Sequence, residues 1–167
     1  MTNQKTEETD DTLQGRYLLF GLGEEVYGVH IRCVTEIVGM QPVNTLPEAT
    51  SYIKGVINLR GKIIPVIDMR LRFKKPAVPY TDRTCIVVVE TQHFSAGLIV
   101  DEVDEVLVIE EKDIAPPPRL DIGIGHRYLS GIGKVNGKVK LLLDCEALFD
   151  EEETKQMDLV KTGGSKR

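Results

Sequence analysis

Residues 52–68 read YIKGVINLRGKIIPVID, and this stretch decides the fold. Two short apolar runs rich in Val and Ile flank the pair Arg60-Gly61, a pattern of strand, tight turn and strand. The chain then writes it again: residues 128–144 read YLSGIGKVNGKVKLLLD. At a shift of 76 residues the tyrosine, two glycines, the turn lysine and the closing aspartate coincide, and most other positions exchange one aliphatic residue for another. Asn136 stands where Arg60 stands in the first copy. A second pair of segments aligns at a shift of 69 residues, GVHIRCVTEIV (28–38) over GLIVDEVDEVL (97–107). There Gly28 meets Gly97, Val34 meets Val103 and Glu36 meets Glu105. The change of shift marks a seven-residue insertion in the second copy, within the segment containing APPPRLDIGIGHR. Two segments repeated in the same order point to a duplication. A small module of about 65 residues has few buried residues, so the copies are expected to pack on each other.

Outward from the repeat, the remaining apolar residues also come in short runs: YLLFGL at 17–22, VYGVHI at 26–31, VTEIVGM at 34–40, CIVVVE at 85–90, SAGLIVDEV at 95–103 and EVLVIE at 105–110. Tyr27, Val29 and Ile31 alternate with Gly28 and His30, the period of a strand. Many short β-branched runs separated by Gly, Asp, Asn and Pro read as an all-β sandwich or barrel. Pro65 carries no N–H donor and suggests an edge strand or a bulge. Asp68 and Asp144 are placed to cap short helices at 69–73 and 145–149, and a longer C-terminal helix is expected to run to about residue 160. The polar first twelve residues and the tail from Lys161 are expected to stay disordered.

Composition narrows the function. A net charge of −5 argues against a sequence-independent nucleic-acid binder, which needs a basic face. MTNQKTEETDDT at the start has no apolar core, and no apolar run approaches the ~20 residues of a membrane span, so a cytoplasmic protein without membrane insertion is expected. Cys33, Cys85 and Cys145 are widely spaced and odd in number, indicating neither a disulfide framework nor a zinc site; they read as small buried hydrophobes. His30, His93 and His126 fall in no metal-binding or catalytic spacing, and His30 reads as a surface residue. IGIGHR at 122–127 lacks the lysine of a phosphate loop, and the acidic pairs Asp101-Glu102 and Asp104-Glu105 read as a solvated face. No residue set makes a case for catalysis, no cofactor or metal is indicated, and binding remains. Met40 and Val43, in GMQPVNTLP, admit two readings, core filler or a soft anchor for a partner.

Taken together these segments resemble the CheW family, the coupling (adaptor) proteins of bacterial chemotaxis. The resemblance runs from about Tyr17 to Asp150. It is strongest in LPEATSYIKGVINLRGKIIPVIDMRLRF, which matches the family pattern Y-I-x-G-x-x-N-L-R-G-x-x-x-P-V-x-D. It implies two SH3-like five-stranded β-barrel modules packed together, with short helices and a C-terminal helix. Residues 1–14 would be a tail, 15–150 one domain with modules at about 15–80 and 81–150 and scope for strand exchange, and 151–167 a helix end and tail.

The resemblance further implies an adaptor rather than an enzyme. Its partners would be the cytoplasmic tip of methyl-accepting chemoreceptors and the regulatory domain of a CheA-type histidine kinase, with recruitment to membrane-associated arrays. Glu36 and Arg60 correspond to two charges that pair on the receptor-facing side. An apolar receptor groove would draw on Val29, Ile31, Val34, Ile57, Leu59, Val100 and Val103, and a kinase-facing patch on Met40, Gln41 and Val43. The length favours a stand-alone coupler over forms fused to a kinase or receiver domain. The rivals are a CheW-like scaffold of another chemosensory pathway and a β-barrel enzyme.

Overall fold

The computed structural model describes residues 14–47, 52–117 and 128–148. The expected disordered ends, His126, IGIGHR and the C-terminal helix past Leu148 lie outside the described residues. The first copy supplies β1 (Arg16–Leu22), β2 (Glu25–His30), β3 (Val34–Gly39), β4 (Ile53–Leu59) and β5 (Lys62–Asp68). The second supplies β6 (Cys85–Glu90), β7 (Ser95–Val100), β8 (Glu102–Val108), the two-residue β9 (Ile114–Ala115), β10 (Leu129–Val135) and β11 (Lys138–Leu143). They form a six-stranded sheet in the order β8-β1-β2-β11-β10-β9 and a five-stranded sheet in the order β3-β6-β7-β5-β4.

Apart from β9 the two orders are the same once β6 is matched to β1, β7 to β2, β8 to β3, β10 to β4 and β11 to β5. The repeat is thus written into the topology. β4 and β5 pair from Leu59–Lys62 to Ile53–Ile67 with an irregularity between Ile53 and Gly55. β10 and β11 pair from Val135–Lys138 to Leu129–Leu143 with the same irregularity between Leu129 and Gly131. The parallel junctions agree too, Val66 opposite Gly97 in one sheet and Leu142 opposite Gly28 in the other. Both glycines are needed for close approach. A Cβ on Gly97 would come within 2.8 Å of Val66 and one on Gly28 within 3.1 Å of Leu142.

Sequence copy and sheet do not coincide. β1 and β2 leave the first copy to join β8–β11, while β6 and β7 join β3–β5. The boundary expected near residue 80 therefore separates the copies in sequence, but each sheet takes strands from both sides of it. Strand exchange buries more apolar surface between the units than side-by-side packing of closed modules would, which suits units this small.

The central core lies between the sheets. Leu18, Phe20, Leu22, Tyr27 and Val29 of one sheet meet Ile53, Ile67, Val87, Val89, Leu98 and Val100 of the other. Alternation along β6 sends Val87 and Val89 into this core and Ile86 and Val88 into a second one, with Ile57, Leu59, Ile64, Val66 and Ile99. A strand buried on both faces reads as an unbroken apolar run, as CIVVVE does. Side chains of this size each contribute about 1.5–3 kcal/mol on burial.

Pro65 is not on an edge strand, because β5 is flanked by β7 and β4, and the irregularity in its ladder falls just beyond it, between Ile53 and Gly55. Opposite Pro65, Val56 turns its N–H and C=O away from β5 to pair with Asn44, both bonds at 2.9 Å. Pro65 is thus at a non-hydrogen-bonded position of the β4–β5 ladder, and its missing N–H faces β7. That ladder begins only at Val66, so no bond is lost.

The capping aspartates behave as the sequence suggests. Asp68 accepts from the N–H groups of Arg70 and Leu71 and starts α1 (Met69–Arg72). Asp144 accepts from the Glu146 N–H ahead of a 3-10 turn at Cys145–Leu148.

Candidate functional site

The turn between β4 and β5 places Arg60 and Gly61 at positive φ, 52° and 85°. This is the hairpin turn whose twist matches that of the flanking strands, and it favours Asn-Gly because both residues must be left-handed. Arginine is an unfavourable occupant, since its Cβ crowds the following carbonyl oxygen. The Asn58 side chain helps hold the loop by accepting from the Gly61 N–H at 2.8 Å. An asparagine just ahead of a turn was the available sequence signal for this support.

Arg60 projects outward, its side chain 72% exposed, and its Nη2 donates to Glu36 Oε2 on β3. β3 and β4 are the opposite edges of the five-stranded sheet, so the ion pair joins the two ends of a sheet curled on itself. Glu36, with 27% of its side chain exposed, shares its strand face with Val38, while an irregularity in the β3–β6 pairing turns Val34 to the other face, towards the shared core.

The apolar residues assigned to a groove divide into two sets. Val29 and Ile57 are 0% exposed and Val100 1%, so their side chains face the cores and offer no contact surface. Leu59 is nearly as covered and belongs with Ile57 to the second core. The family resemblance assigned them to a surface that the two-sided burial of these strands removes. Ile31, Val34 and Val103 remain half-exposed where they pack on the shared core. Val34 and Val103 are repeat partners, one from each sheet, and the Val103 backbone lies beside the Cys85 thiol at the start of β6. The sheets therefore meet at this point.

Met40 and Val43 are half-buried and rest on the second core, and Gln41 beside them is half-buried as well. Their loop is pinned by the Asn44–Val56 backbone pair.

Three other constellations were not foreseen. Arg72 is buried between two rings, its guanidinium carbon 4.3 Å from the centre of Tyr52 and 4.6 Å from that of Tyr128. These tyrosines are the matched first residues of the two repeated segments, and Arg72 Nε donates to the Leu148 carbonyl at 2.8 Å. Arg70 grips Asp101 with Nε at 2.8 Å and Nη2 at 2.6 Å, and Asp101 in turn accepts from the Gly23 N–H of the β1–β2 turn. This grip holds the Asp101 carboxyl below its ordinary value of 3.8. Lys75 does the same for Glu25, chiefly by hydrogen bonding. All these partners are distant in sequence, so no local pattern announces them.

His30 caps the 3-10 turn at Ile31–Cys33, its Nδ1 accepting from the Arg32 N–H at 3.2 Å. Among the described residues no group of three or more His, Cys, Asp or Glu side chains could hold a metal ion, and no helix is long and apolar enough to cross a membrane.

Residues 16–153 match the model of the CheW-like domain. The chain belongs to the CheW family. CheW proteins are adaptors and scaffolds, not enzymes. The chain is 35% identical over 150 residues to the chemotaxis protein CheW of Klebsiella aerogenes, covering 90% of each chain. It is 32% identical over 148 residues to that of Treponema pallidum, covering 86% of this chain and 87% of the relative. Among solved structures it resembles the CheW scaffolding protein from Thermoanaerobacter tengcongensis, with a TM-score of 0.76 and 38% identity, covering 81% of this chain and 92% of that one. The two sheets described above are the pair of SH3-like barrels of the CheW fold.

Proposed function

We propose that this CheW-family protein couples the cytoplasmic tip of methyl-accepting chemoreceptors to the regulatory domain of a CheA-type histidine kinase and helps build the signalling array at the membrane. The observation that carries this reading is the Glu36–Arg60 pair, with arginine exposed at a turn position that its own conformation disfavours. The receptor-facing surface comprises Ile31, Val34, Glu36, Arg60 and Val103, backed by Val29, Ile57, Leu59 and Val100. The kinase-facing patch comprises Met40, Gln41 and Val43.

An adaptor works by differential binding: it shifts the kinase between states only as far as its contact energy differs between them. Modest interfaces suffice when many engage together in an array. The test is capture of a receptor cytoplasmic fragment and of the kinase by the purified protein. Retention of both is expected, and loss of both contradicts the reading. Met40→Asp and Val43→Asp place a charge in an apolar contact and should weaken kinase capture at least about tenfold while sparing receptor capture. Unchanged kinase affinity in both would move the patch elsewhere.

A further inference from the structure

β2 and β11 run side by side in parallel, Leu141 opposite Tyr27, Leu142 opposite Gly28 and Leu143 opposite Val29. Each ends in a 3-10 turn, Ile31–Cys33 after β2 and Cys145–Leu148 after β11. Parallel neighbours leave a sheet at the same end, so the two turns are adjacent and each carries a cysteine. Cys33 is half-buried and packs on the core cluster that contains Cys145, which is 4% exposed. The two thiols lie close enough to interact directly. Cys85 has a different neighbour, the backbone of Val103.

We propose that Cys33 and Cys145 are a dithiol site that a hydroperoxide converts to an intramolecular disulfide, Cys33 reacting first and Cys145 resolving it. The Cys33 thiolate attacks a peroxide oxygen and the O–O bond breaks. The leaving oxygen departs as water or an alcohol after taking a proton, leaving Cys33 as a sulfenic acid. Cys145 sulfur then attacks Cys33 sulfur, the S–O bond breaks, and the hydroxyl leaves as water with the Cys145 proton. The two thiols supply the two electrons that reduce the peroxide.

The surroundings divide these roles. Its interaction with Cys145 brings the Cys33 thiol down, against the opposing effects of burial, Asp144 and Glu146. Cys33 is also the thiol of the pair that a peroxide can reach, being half-buried where Cys145 is buried, and the lowered value favours the thiolate that reacts. The same interaction and burial push Cys145 up, which suits it to the second step rather than the first. The bond would tie the crossing from the six-stranded to the five-stranded sheet to the turn after β11. That crossing opens β3, which carries Glu36. The inference stands apart from the adaptor reading.

The experiment treats the full chain, without denaturant, with hydrogen peroxide, then counts free thiols and maps peptides by mass. Free thiols should fall from three to one per chain, with a Cys33–Cys145 cross-linked peptide and no rise in dimer. Cys85→Ser should form the same cross-link, and Cys33→Ser should keep both of its thiols at the same dose. Over-oxidation of Cys33 to the sulfinic acid with Cys145 still free would overturn the proposal, as would a cross-link through Cys85 or between chains, or three unreacted thiols. Because the cross-link is read in the unsubstituted protein, a poorly folding Cys145→Ser variant would not obscure the result.

Discussion

The β4–β5 and β10–β11 hairpins are two versions of one object. Their registers, irregularities and turns agree, with φ of 52° at Arg60 and 51° at Asn136. Asparagine suits the left-handed position because its short polar side chain hydrogen-bonds locally, and with Gly137 it makes the favoured hairpin turn. The second hairpin thus follows the local rule and the first departs from it. Glutamate is present on the matching strand in both copies, as Glu36 and Glu105, yet only the first turn offers it a charge. What the copies share is architecture. What only the first carries, an exposed arginine held by an ion pair, is the better candidate for what a partner reads.

The comparison can be broken at several points. The largest effect is expected at the paired glycines Gly55 and Gly131. A Cβ on Gly55 would fall 2.0 Å from the Asn44 carbonyl oxygen, on backbone that cannot yield, and its φ of 149° disfavours side chains. A Cβ on Gly131 would meet Ile114 Cγ2 at 2.7 Å and the Ala115 carbonyl oxygen at 3.2 Å, a milder clash than the one at Gly55. Gly55→Ala should cost about 4 kcal/mol or more in denaturant unfolding, and Gly131→Ala roughly 1–3 kcal/mol. Equal costs would mean that the two irregularities are interchangeable.

Next comes Arg72, which touches the matched tyrosines of both copies. Arg72→Ala removes two desolvated cation–π contacts and a charged hydrogen bond and should cost roughly 2–4 kcal/mol. A loss confined to one sheet's hydrogen-exchange protection would show that Arg72 serves one copy only. Smaller again is the turn itself. Asn136→Arg should lower the melting temperature by up to roughly 4 °C, and Arg60→Asn should hold or raise it by a similar amount.

The smallest effect concerns two other matched turns. The Gly23 N–H bonds to Asp101, which Arg70 holds, while the Gln92 N–H bonds directly to Glu146 at 2.9 Å. Asp101 and Glu25 are held below their ordinary values of 3.8 and 4.5, so the folded chain binds fewer protons there than the unfolded chain. Their contribution is full above those values and fades as pH falls through the depressed ones. Melting temperature should therefore drop on acidification over that range, and Arg70→Gln should flatten part of the drop. An unchanged slope in Arg70→Gln would remove Asp101 from the account.

The sequence made strands, turns and duplication legible because each leaves a local mark: β-branched runs, Asn-Gly and Arg-Gly pairs, and a fixed shift. Strand exchange left none, since β2 looks the same whichever β11-like strand it joins. Pro65 misled for a related reason, as its tolerance depends on where a neighbouring ladder begins. In the site, Arg60 and Glu36 were legible through the repeat and the family pattern. Val29, Ile57 and Val100 were not separable from surface residues, because strands buried on both faces hide which side meets solvent. Arg72 and its two rings come from three distant segments and could be found only in the fold.

The most direct measurement compares receptor-fragment affinity and thermal stability in Arg60→Asn, which gives the first turn the residue of the second. The account predicts a melting temperature equal to or above that of the unsubstituted chain, with receptor binding weakened at least about tenfold. A clearly lower melting temperature with undiminished receptor affinity per folded molecule would make Arg60 a part of the barrel and contradict it.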